Sequence, residues 1–163
     1  MLVDVSNGQV LHARNPQRRF VPASVTKVMT LYLAFELIAE GRLDPDRMMV
    51  MSPALFRDWR RKGSNMFLNL GDQVLVRDLL MGIANVSAND GAAVLAEGFS
   101  GSVPAWTDAM NAKASAIGMT GSYFASPNGW PDEGRTFTTA ADLVLLARTM
   151  IRQHPTLFRQ YIG

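Results

Sequence analysis

The 163-residue sequence contains no cysteine and only two histidines, His12 and His154. The absence of cysteine excludes disulfide bonds, a thiol nucleophile and cysteine-based metal sites. Two histidines far apart in the sequence argue against a histidine metal site, and they leave little room for a Ser-His-Asp triad. We therefore expect neither a metal ion nor another cofactor.

Long apolar runs and a strong excess of one charge are absent too. The longest apolar stretch, Val28 to Ala39, is interrupted by Glu36 and is shorter than the roughly 20 residues that a membrane span requires. The formal net charge of +2 is too small to indicate a nucleic-acid-binding surface.

What is present indicates a folded α+β domain that is mainly helical. Apolar residues make up 48% of the chain, as in globular proteins. Asn7-Gly8 between the apolar runs 1–5 and 9–12 predicts a single β-hairpin. The helices are predicted at 24–40, 52–59, 76–85, 89–98, 103–117, 140–152 and after Pro155, with short extended pieces at 47–51 and 123–124. Ser102 is predicted to cap the helix that follows it, and Thr139 with Asp142 resembles a capping box for the helix from Ala140. A lone hairpin is marginally stable, so we expect that part of the sheet is missing from this chain.

Ser24 and Lys27 form the first candidate site. Because they are three residues apart at the start of a predicted helix, they share one face of it. Serine is a poor nucleophile without an adjacent base, and a lysine supplies that base when burial lowers its pKa. The positive end of the helix dipole favours developing charge on the serine oxygen. The four-residue motif alone is weak, because chance matches are common.

Ser87-Ala88-Asn89, a polar corner between two predicted helices, is the second candidate. Ser87 follows Ser24 by 63 residues (87 − 24). Its hydroxyl could relay a proton, and the Asn89 amide could hold both Lys27 and a substrate carbonyl. For the corner in isolation, the more common role is an N-cap for the following helix.

Two other features favour an ordinary structural role. The basic segment 57–63 is interpreted as a solvated surface loop, with anion binding as the minor alternative. Trp59, Trp106 and Trp130 are more often packing residues than ligand platforms.

In order and spacing, the two candidate motifs resemble those of the penicillin-recognising serine enzymes, which carry Ser-x-x-Lys, Ser-x-Asn and Lys-Thr-Gly. Within this group, the chain is most similar to the low-molecular-mass D-alanyl-D-alanine carboxypeptidases. The similar segments are 4–11, 22–30, 63–68, 78–80, 87–93, 110–111, 117–119, 128–129 and 138–143. The resemblance implies a β-lactamase/DD-peptidase-like fold.

The resemblance also implies a role for each candidate residue. Ser24 attacks the carbonyl of the penultimate D-alanine in a peptidoglycan stem peptide, and Lys27 accepts its proton. Ser87 passes a proton toward the leaving group, and Asn89 helps to bind the substrate. The partners implied are a peptidoglycan pentapeptide ending in D-Ala-D-Ala and β-lactam antibiotics, which would leave a stable acyl group on Ser24. Such proteins work in the periplasm or elsewhere outside the cytoplasmic membrane, often anchored by a C-terminal segment.

The chain departs from the family pattern in two places. Ala88 stands where most such carboxypeptidases have glycine, which is tolerable only if φ is not positive there. Lys-Thr-Gly is absent; in the family it lies on a strand of the main sheet and supplies one oxyanion-hole N–H. We therefore expect residues 1–163 to be the N-terminal part of a peptidase domain, with a hairpin and connection at 1–22 and a mostly helical lobe at 23–163. This part alone is expected to be poorly active.

Two alternative functions stay open. A non-catalytic penicillin- or peptidoglycan-binding sensor module would keep the fold without the third motif, and the gene sequence beyond Gly163 discriminates by the presence or absence of Lys-Thr-Gly. A serine β-lactamase would need a deacylation base. Glu133 in the segment 131–134 is the nearest candidate, but turn chemistry explains that segment better.

Overall fold

The computed structural model describes all residues from Met1 to Gly163 and shows an α+β architecture, as predicted. Seven helices surround one core, and two separate two-stranded antiparallel sheets lie beside them. The strands are β1 (Leu2–Val3), β2 (Val10–His12), β3 (Met48–Val50) and β4 (Gln73–Leu75). The helices are α1 (Lys27–Ala39), α2 (Pro53–Trp59), α3 (Val76–Asn85), α4 (Asn89–Ser100), α5 (Val103–Ala116), α6 (Ala140–Gln153) and α7 (Pro155–Tyr161).

The predicted N-terminal hairpin is confirmed, although its strands are short. β1 pairs with β2 in antiparallel register, with Leu2 opposite His12. The Asp4 carboxylate organises the turn by accepting hydrogen bonds from the Ser6 backbone N–H at 2.8 Å and the Ser6 hydroxyl at 2.6 Å. All three residues of β2 are exposed, so this hairpin contributes little to the core.

The expectation of a single hairpin is wrong. β3 and β4 form a second antiparallel pair, with Met49 opposite Val74. Each strand has only three residues, too few for an alternating pattern to stand out, and β4 runs directly into α3. Met49 is the buried residue of β3, and its side chain packs beside Gly98 of α4.

The core is built around α1, which is buried on almost every side, as its all-round apolar sequence predicts. α1 contacts α3, α5 and α6, and α4 packs against α2, α3 and α5. The largest fully buried side chains are Trp106, Tyr32, Phe35, Phe124, Met29, Leu43, Met49, Met51, Leu79, Leu80, Ile83 and Leu95. None of the helices combines the length and the apolar character needed to cross a membrane.

Three local predictions differ from the structure. The first helix begins at Lys27, because residues Ala23–Thr26 form a 3₁₀ turn. Thr139 caps α6 as predicted, but the Asp142 carboxylate bonds to Gly121 N–H instead of closing a reciprocal capping box. The segment 123–124 makes only an isolated bridge, between Tyr123 and Phe137.

Candidate active site

Ser24 and Lys27 lie next to each other at the N-terminal end of α1, as the motif predicts. Lys27 Nζ is 3.2 Å from Ser24 Oγ. Ala23 has a φ of +47°, a left-handed conformation that is uncommon outside glycine, and this sharp turn presents Ser24 at the surface. Lys27 is only 3% exposed. The nucleophile therefore faces solvent while its candidate base lies beneath it.

Burial changes the protonation of Lys27. Desolvation lowers the pKa of Lys27 to about 8, and no carboxylate lies beside it to restore the charge. At pH 7 about one molecule in ten then carries the neutral amine, against fewer than about one in a thousand for an exposed lysine. The base is available at neutral pH without a histidine partner.

The hydrogen-bond partners of Lys27 aim its lone pair. Nζ donates to Asn89 Oδ1 at 2.8 Å and to the Asn128 carbonyl at 2.9 Å. A neutral amine keeps two N–H groups and one lone pair. Because the two amide oxygens only accept, they take both N–H groups, and the lone pair faces the third neighbour, the Ser24 hydroxyl. This arrangement is suited to removing the serine proton.

Asn89 is the first residue of α4, and its side chain points to Lys27 instead of capping the helix. Its Oδ1 accepts from Lys27, while its Nδ2 donates to the Lys62 carbonyl at 3.1 Å. The N-cap position belongs to Ala88, and no side chain caps the helix there. The capping interpretation of Ser87 and Asn89 is therefore wrong.

Ser87 is the predicted site residue that the structure does not join to the others. It is half-buried and has a φ of +56°. The hydrogen bonds found at the site connect Lys27 with Ser24, Asn89 and Asn128 and do not include the Ser87 hydroxyl. Ser87 lies one residue before Ala88 on the corner, and it is not among the residues that line the open cleft above Ser24.

Ala88 fits its position despite the glycine expected there. Its φ of −60° and ψ of 118° are extended values that any residue adopts. The residue is completely buried, and its methyl group faces Gly91, where an added Cβ would lie 3.3 Å from it. The positive φ that would have required glycine at the corner occurs one residue earlier, at Ser87.

Asn128 also belongs to the site, although its position in the sequence does not indicate this. Asn128 is 1% exposed, and its carbonyl is one of the two acceptors on Lys27. Its side chain accepts from Trp130 N–H at 3.0 Å and donates to the Asn89 carbonyl at 3.4 Å. Asn-Gly signals a turn in the sequence, and nothing in that signal indicates contact with a lysine 101 residues earlier.

An open cleft of about 520 Å³ lies above Ser24. Its lining includes Ser24, Asn89 and the loop of residues 128–134. Within this loop, burial would raise the pKa of Asp132, but hydrogen bonds from Thr136 hold it below its usual range. Glu133 is exposed, with a φ of +61°, and the adjacent Gly134 is also in the left-handed region, which fits the predicted turn.

Comparison with known proteins identifies the family. A model of the D-alanyl-D-alanine carboxypeptidase family matches residues 1–162. D-alanyl-D-alanine carboxypeptidase DacA of Haemophilus influenzae is 33% identical over 161 residues, which cover 99% of this chain and 41% of the relative. The crystal structure of DacD from Francisella tularensis has a TM-score of 0.91 and 39% identity, covering 98% of this chain and 38% of that one.

A third relative is a penicillin-binding protein with a bound β-lactam. Penicillin-binding protein D2 from Listeria monocytogenes, in its ampicillin-bound form, has a TM-score of 0.83 and 27% identity, covering 97% of this chain and 62% of that one. The chain spans less than half the length of the curated relatives that it matches. The family resemblance and the fold class are confirmed, and the chain belongs to the D-alanyl-D-alanine carboxypeptidase family.

Proposed function

We propose that this chain carries the acylating centre of a serine D-alanyl-D-alanine carboxypeptidase that acts on peptidoglycan stem peptides. The observation that carries the proposal is the position of Lys27. Its amine is buried, its pKa is lowered to about 8, and its neighbours direct the lone pair at Ser24 Oγ. A serine with such a base is an activated nucleophile.

In the first half-reaction, Ser24 Oγ attacks the carbonyl carbon of the penultimate D-alanine while Lys27 takes the hydroxyl proton. The tetrahedral intermediate collapses, the C–N bond to the terminal D-alanine breaks, and an ester forms on Ser24. The leaving nitrogen needs a proton, which the Lys27 ammonium now holds. We propose that the Ser87 hydroxyl passes that proton on, since its hydroxyl is not committed to another partner.

In the second half-reaction, water attacks the ester, Lys27 takes a proton from the water, and Ser24 is released with its own proton restored. A β-lactam enters the same sequence by ring opening, but its leaving nitrogen stays attached to the acyl group. The ester is then expected to persist. The ampicillin-bound form of the Listeria relative supports β-lactam binding as part of the proposal.

Asn89 is proposed to bind the substrate as well as the base. It lines the cleft, and one hydrogen of its Nδ2 is used by the Lys62 carbonyl. The second hydrogen of Nδ2 remains to donate to a substrate carbonyl. The amide would then link Lys27 and the substrate.

The proposal extends to organisation and location. Residues 1–163 would form the N-terminal part of a peptidase domain, with the hairpin and connection at 1–22 and the helical lobe at 23–163. A peptidoglycan substrate places the protein in the periplasm or elsewhere outside the cytoplasmic membrane. Attachment to that membrane through a C-terminal segment is part of the same proposal.

Covalent labelling tests the nucleophile. The full gene product that contains this chain should be labelled by a fluorescent penicillin, and Ser24→Ala should abolish the label. Ser115→Ala, at an exposed position on α5, is the matched control and should label normally. Labelling that persists in the Ser24 variant would overturn the assignment.

Turnover separates the proposal from the two alternatives. A carboxypeptidase releases D-alanine from a peptide ending in D-Ala-D-Ala and hydrolyses its penicilloyl ester slowly. A sensor module is acylated but releases no D-alanine, and a β-lactamase turns over penicillin rapidly. Mass spectrometry of the acylated protein over time, beside an assay for free D-alanine, distinguishes all three.

A further inference from the structure

The Lys62 side chain connects two loops beside the cleft. Its ammonium nitrogen lies 5.3 Å from the centre of the Trp59 ring and 5.1 Å from the centre of the Trp130 ring. The two rings meet edge to face, with their centres 5.7 Å apart. A cation within about 6 Å of an aromatic face is attracted by it, so both rings hold this lysine. Segment 57–63 is exposed apart from the half-buried Trp59, as the interpretation of a solvated surface segment predicts, and the two rings hold Lys62 within it.

The backbone of the same loop contacts the Asn89 side chain. The Lys62 carbonyl accepts a hydrogen bond from Asn89 Nδ2 at 3.1 Å, and Ser64 O accepts one from the Asn89 backbone N–H at 2.8 Å. Gly63, with a φ of +68°, packs closely against the Asn89 side chain and the Trp130 ring. A Cβ there would lie 2.7 Å from Asn89 Nδ2 and 3.0 Å from the Trp130 ring.

The Lys62 carbonyl determines which end of the Asn89 amide faces Lys27. A carbonyl only accepts, so it selects Nδ2 and leaves Oδ1 for Lys27. In the reversed orientation Nδ2 would face the amine and donate to its lone pair. The Ser24 hydroxyl would then lose its proton acceptor. The orientation of this amide therefore decides whether the base is productive.

Trp130 also contacts Asn128, the residue that supplies the second hydrogen-bond acceptor for Lys27. Its backbone N–H donates to Asn128 Oδ1 at 3.0 Å, and the Asn128 carbonyl accepts from Lys27. We propose that Trp59, Lys62 and Trp130 form a positioning clamp that fixes the Asn89 amide with Oδ1 toward Lys27, and so keeps the base directed at Ser24. The inference rests on the proposed function, since it concerns the base of that reaction.

The test measures the second-order rate of acylation by a fluorescent penicillin, in the full gene product, from pH 5.5 to 9.5. Lys62→Met keeps the length of the side chain but removes the cation. A positioned general base contributes roughly 10²- to 10⁴-fold, so partial loss of orientation should lower the high-pH rate about tenfold. A donor facing Lys27 disfavours its ammonium form, so the acid limb of the profile should move about half a unit to lower pH.

Three further variants make the result specific. Lys62→Arg keeps a cation beside the rings. It should show most of the wild-type acylation rate, and the acid limb of its pH profile should lie at the wild-type pH. Trp59→Leu removes one ring outside the cleft lining and should change the profile in the same direction as Lys62→Met. Arg57→Met removes a cation from an exposed position on α2 and should leave both the rate and the limb unchanged.

The outcomes separate the two proposals. If Ser24 of the wild-type protein is not acylated, the proposed function fails. If the wild type is acylated and Lys62→Met shows the same rate and the same acid limb, the positioning clamp fails. A lower melting temperature in Lys62→Met with an unchanged limb would also overturn the clamp, because it would indicate a purely structural role.

Discussion

A Cβ atom added to Gly129 would lie only 1.8 Å from the carbonyl oxygen of Ala23. The loop of residues 128–134 therefore touches the turn before Ser24 backbone to backbone. Gly129 also has a φ of +71°, which glycine adopts freely and other residues do not. One glycine thus sets the distance between the segment that carries the nucleophile and the segment whose Asn128 carbonyl binds the base.

Gly129→Ala is expected to damage both stability and acylation. Overpacking against a backbone oxygen and the strained φ together should lower the free energy of unfolding by about 3 kcal/mol. The Ser24 turn must move away from the added methyl group. Because a small misplacement of reacting groups slows a reaction strongly, the rate of penicillin acylation should fall more than about tenfold. Urea denaturation and labelling kinetics measure the two effects.

Gly41→Ala is the matched control for this substitution. Gly41 has a φ of +69°, but nothing lies within 4 Å of an added Cβ. The cost should therefore be limited to backbone strain, about 1 kcal/mol, with no change in acylation. Equal losses in the two variants would mean that contact with Ala23 does not matter.

Acylation should depend on pH through Lys27. The base must be neutral, and its pKa is about 8, so the ammonium form dominates below that pH and cannot accept the serine proton. The rate should rise about tenfold from pH 6 to pH 7 and level off above about pH 8. Fluorescent-penicillin labelling of the full gene product at each pH gives the profile.

Lys27→Arg provides the comparison for that profile. A guanidinium stays protonated throughout the range, so acylation should be slow at every pH and show no limb. A wild-type rate that does not vary between pH 6 and pH 8 would contradict the role of Lys27 as base.

Asp90 holds the loop that covers Asn89. It is 1% exposed, and its carboxylate accepts hydrogen bonds from Met66 N–H at 2.9 Å, Gly91 N–H at 2.8 Å and Leu68 N–H at 3.2 Å. Phe67, between Met66 and Leu68, adopts a φ of +59° and is 75% exposed. The carboxylate thus stabilises a strained loop conformation.

Asp90→Asn should lower the free energy of unfolding by about 2 kcal/mol, because an amide places a donor against backbone donors and leaves one unpaired. The Met66 and Leu68 amides should exchange hydrogen faster, as measured by native-state exchange. Asp108→Asn, at an exposed position on α5, should change stability by less than about 0.5 kcal/mol. Unchanged exchange at Met66 and Leu68 would show that Asp90 does not hold the loop.

The sequence predicted those parts of the site that depend on local spacing. Ser24 and Lys27 are neighbours because three residues at a helix start bring two side chains together. Helix positions followed from periodicity and from caps such as Ser102, whose hydroxyl accepts from Ala105 N–H. These features need only a few consecutive residues, so a single sequence contains them.

The rest depends on contacts between distant segments. The second acceptor on Lys27 is a backbone carbonyl, which any residue at position 128 would supply, so no residue type indicates it. Whether alanine fits at position 88 depends on the backbone conformation there. The φ is positive at Ser87 and negative at Ala88, and the sequence does not indicate where that change occurs. The clamp around Lys62 joins residues 59 and 130, and the spacing of three tryptophans does not indicate that two of them meet.

Glu36 connects α1 with α5 and with the end of α6. Its Oε2 accepts from Lys113 Nζ of α5 at 2.6 Å, and its Oε1 lies 2.5 Å from Nε2 of His154, at the end of α6. Burial would raise the pKa of Glu36, but the hydrogen bonds from Lys113 and His154 outweigh it and hold the pKa below its usual range. The carboxylate form is therefore stabilised by folding.

Glu36→Gln should lower the free energy of unfolding by about 2 kcal/mol at pH 7, because Lys113 loses its ionic partner in a largely buried place. A carboxyl group whose pKa is lowered by folding contributes fully above its unfolded pKa, about 4.3, and loses that contribution as the pH falls through the folded value. The difference between variant and wild type should therefore shrink below about pH 4. Melting temperatures of both proteins from pH 3 to pH 8 measure it.

Glu40→Gln, at the residue that follows the last residue of α1, is the control. Its side chain is 42% exposed, and its oxygen lies 3.9 Å from Lys113 Nζ, so the substitution should cost less than about 0.5 kcal/mol at any pH. If Glu36→Gln lost as much stability at pH 3 as at pH 7, the loss would come from packing. The ion pair between Glu36 and Lys113 would then not be what stabilises this part of the fold.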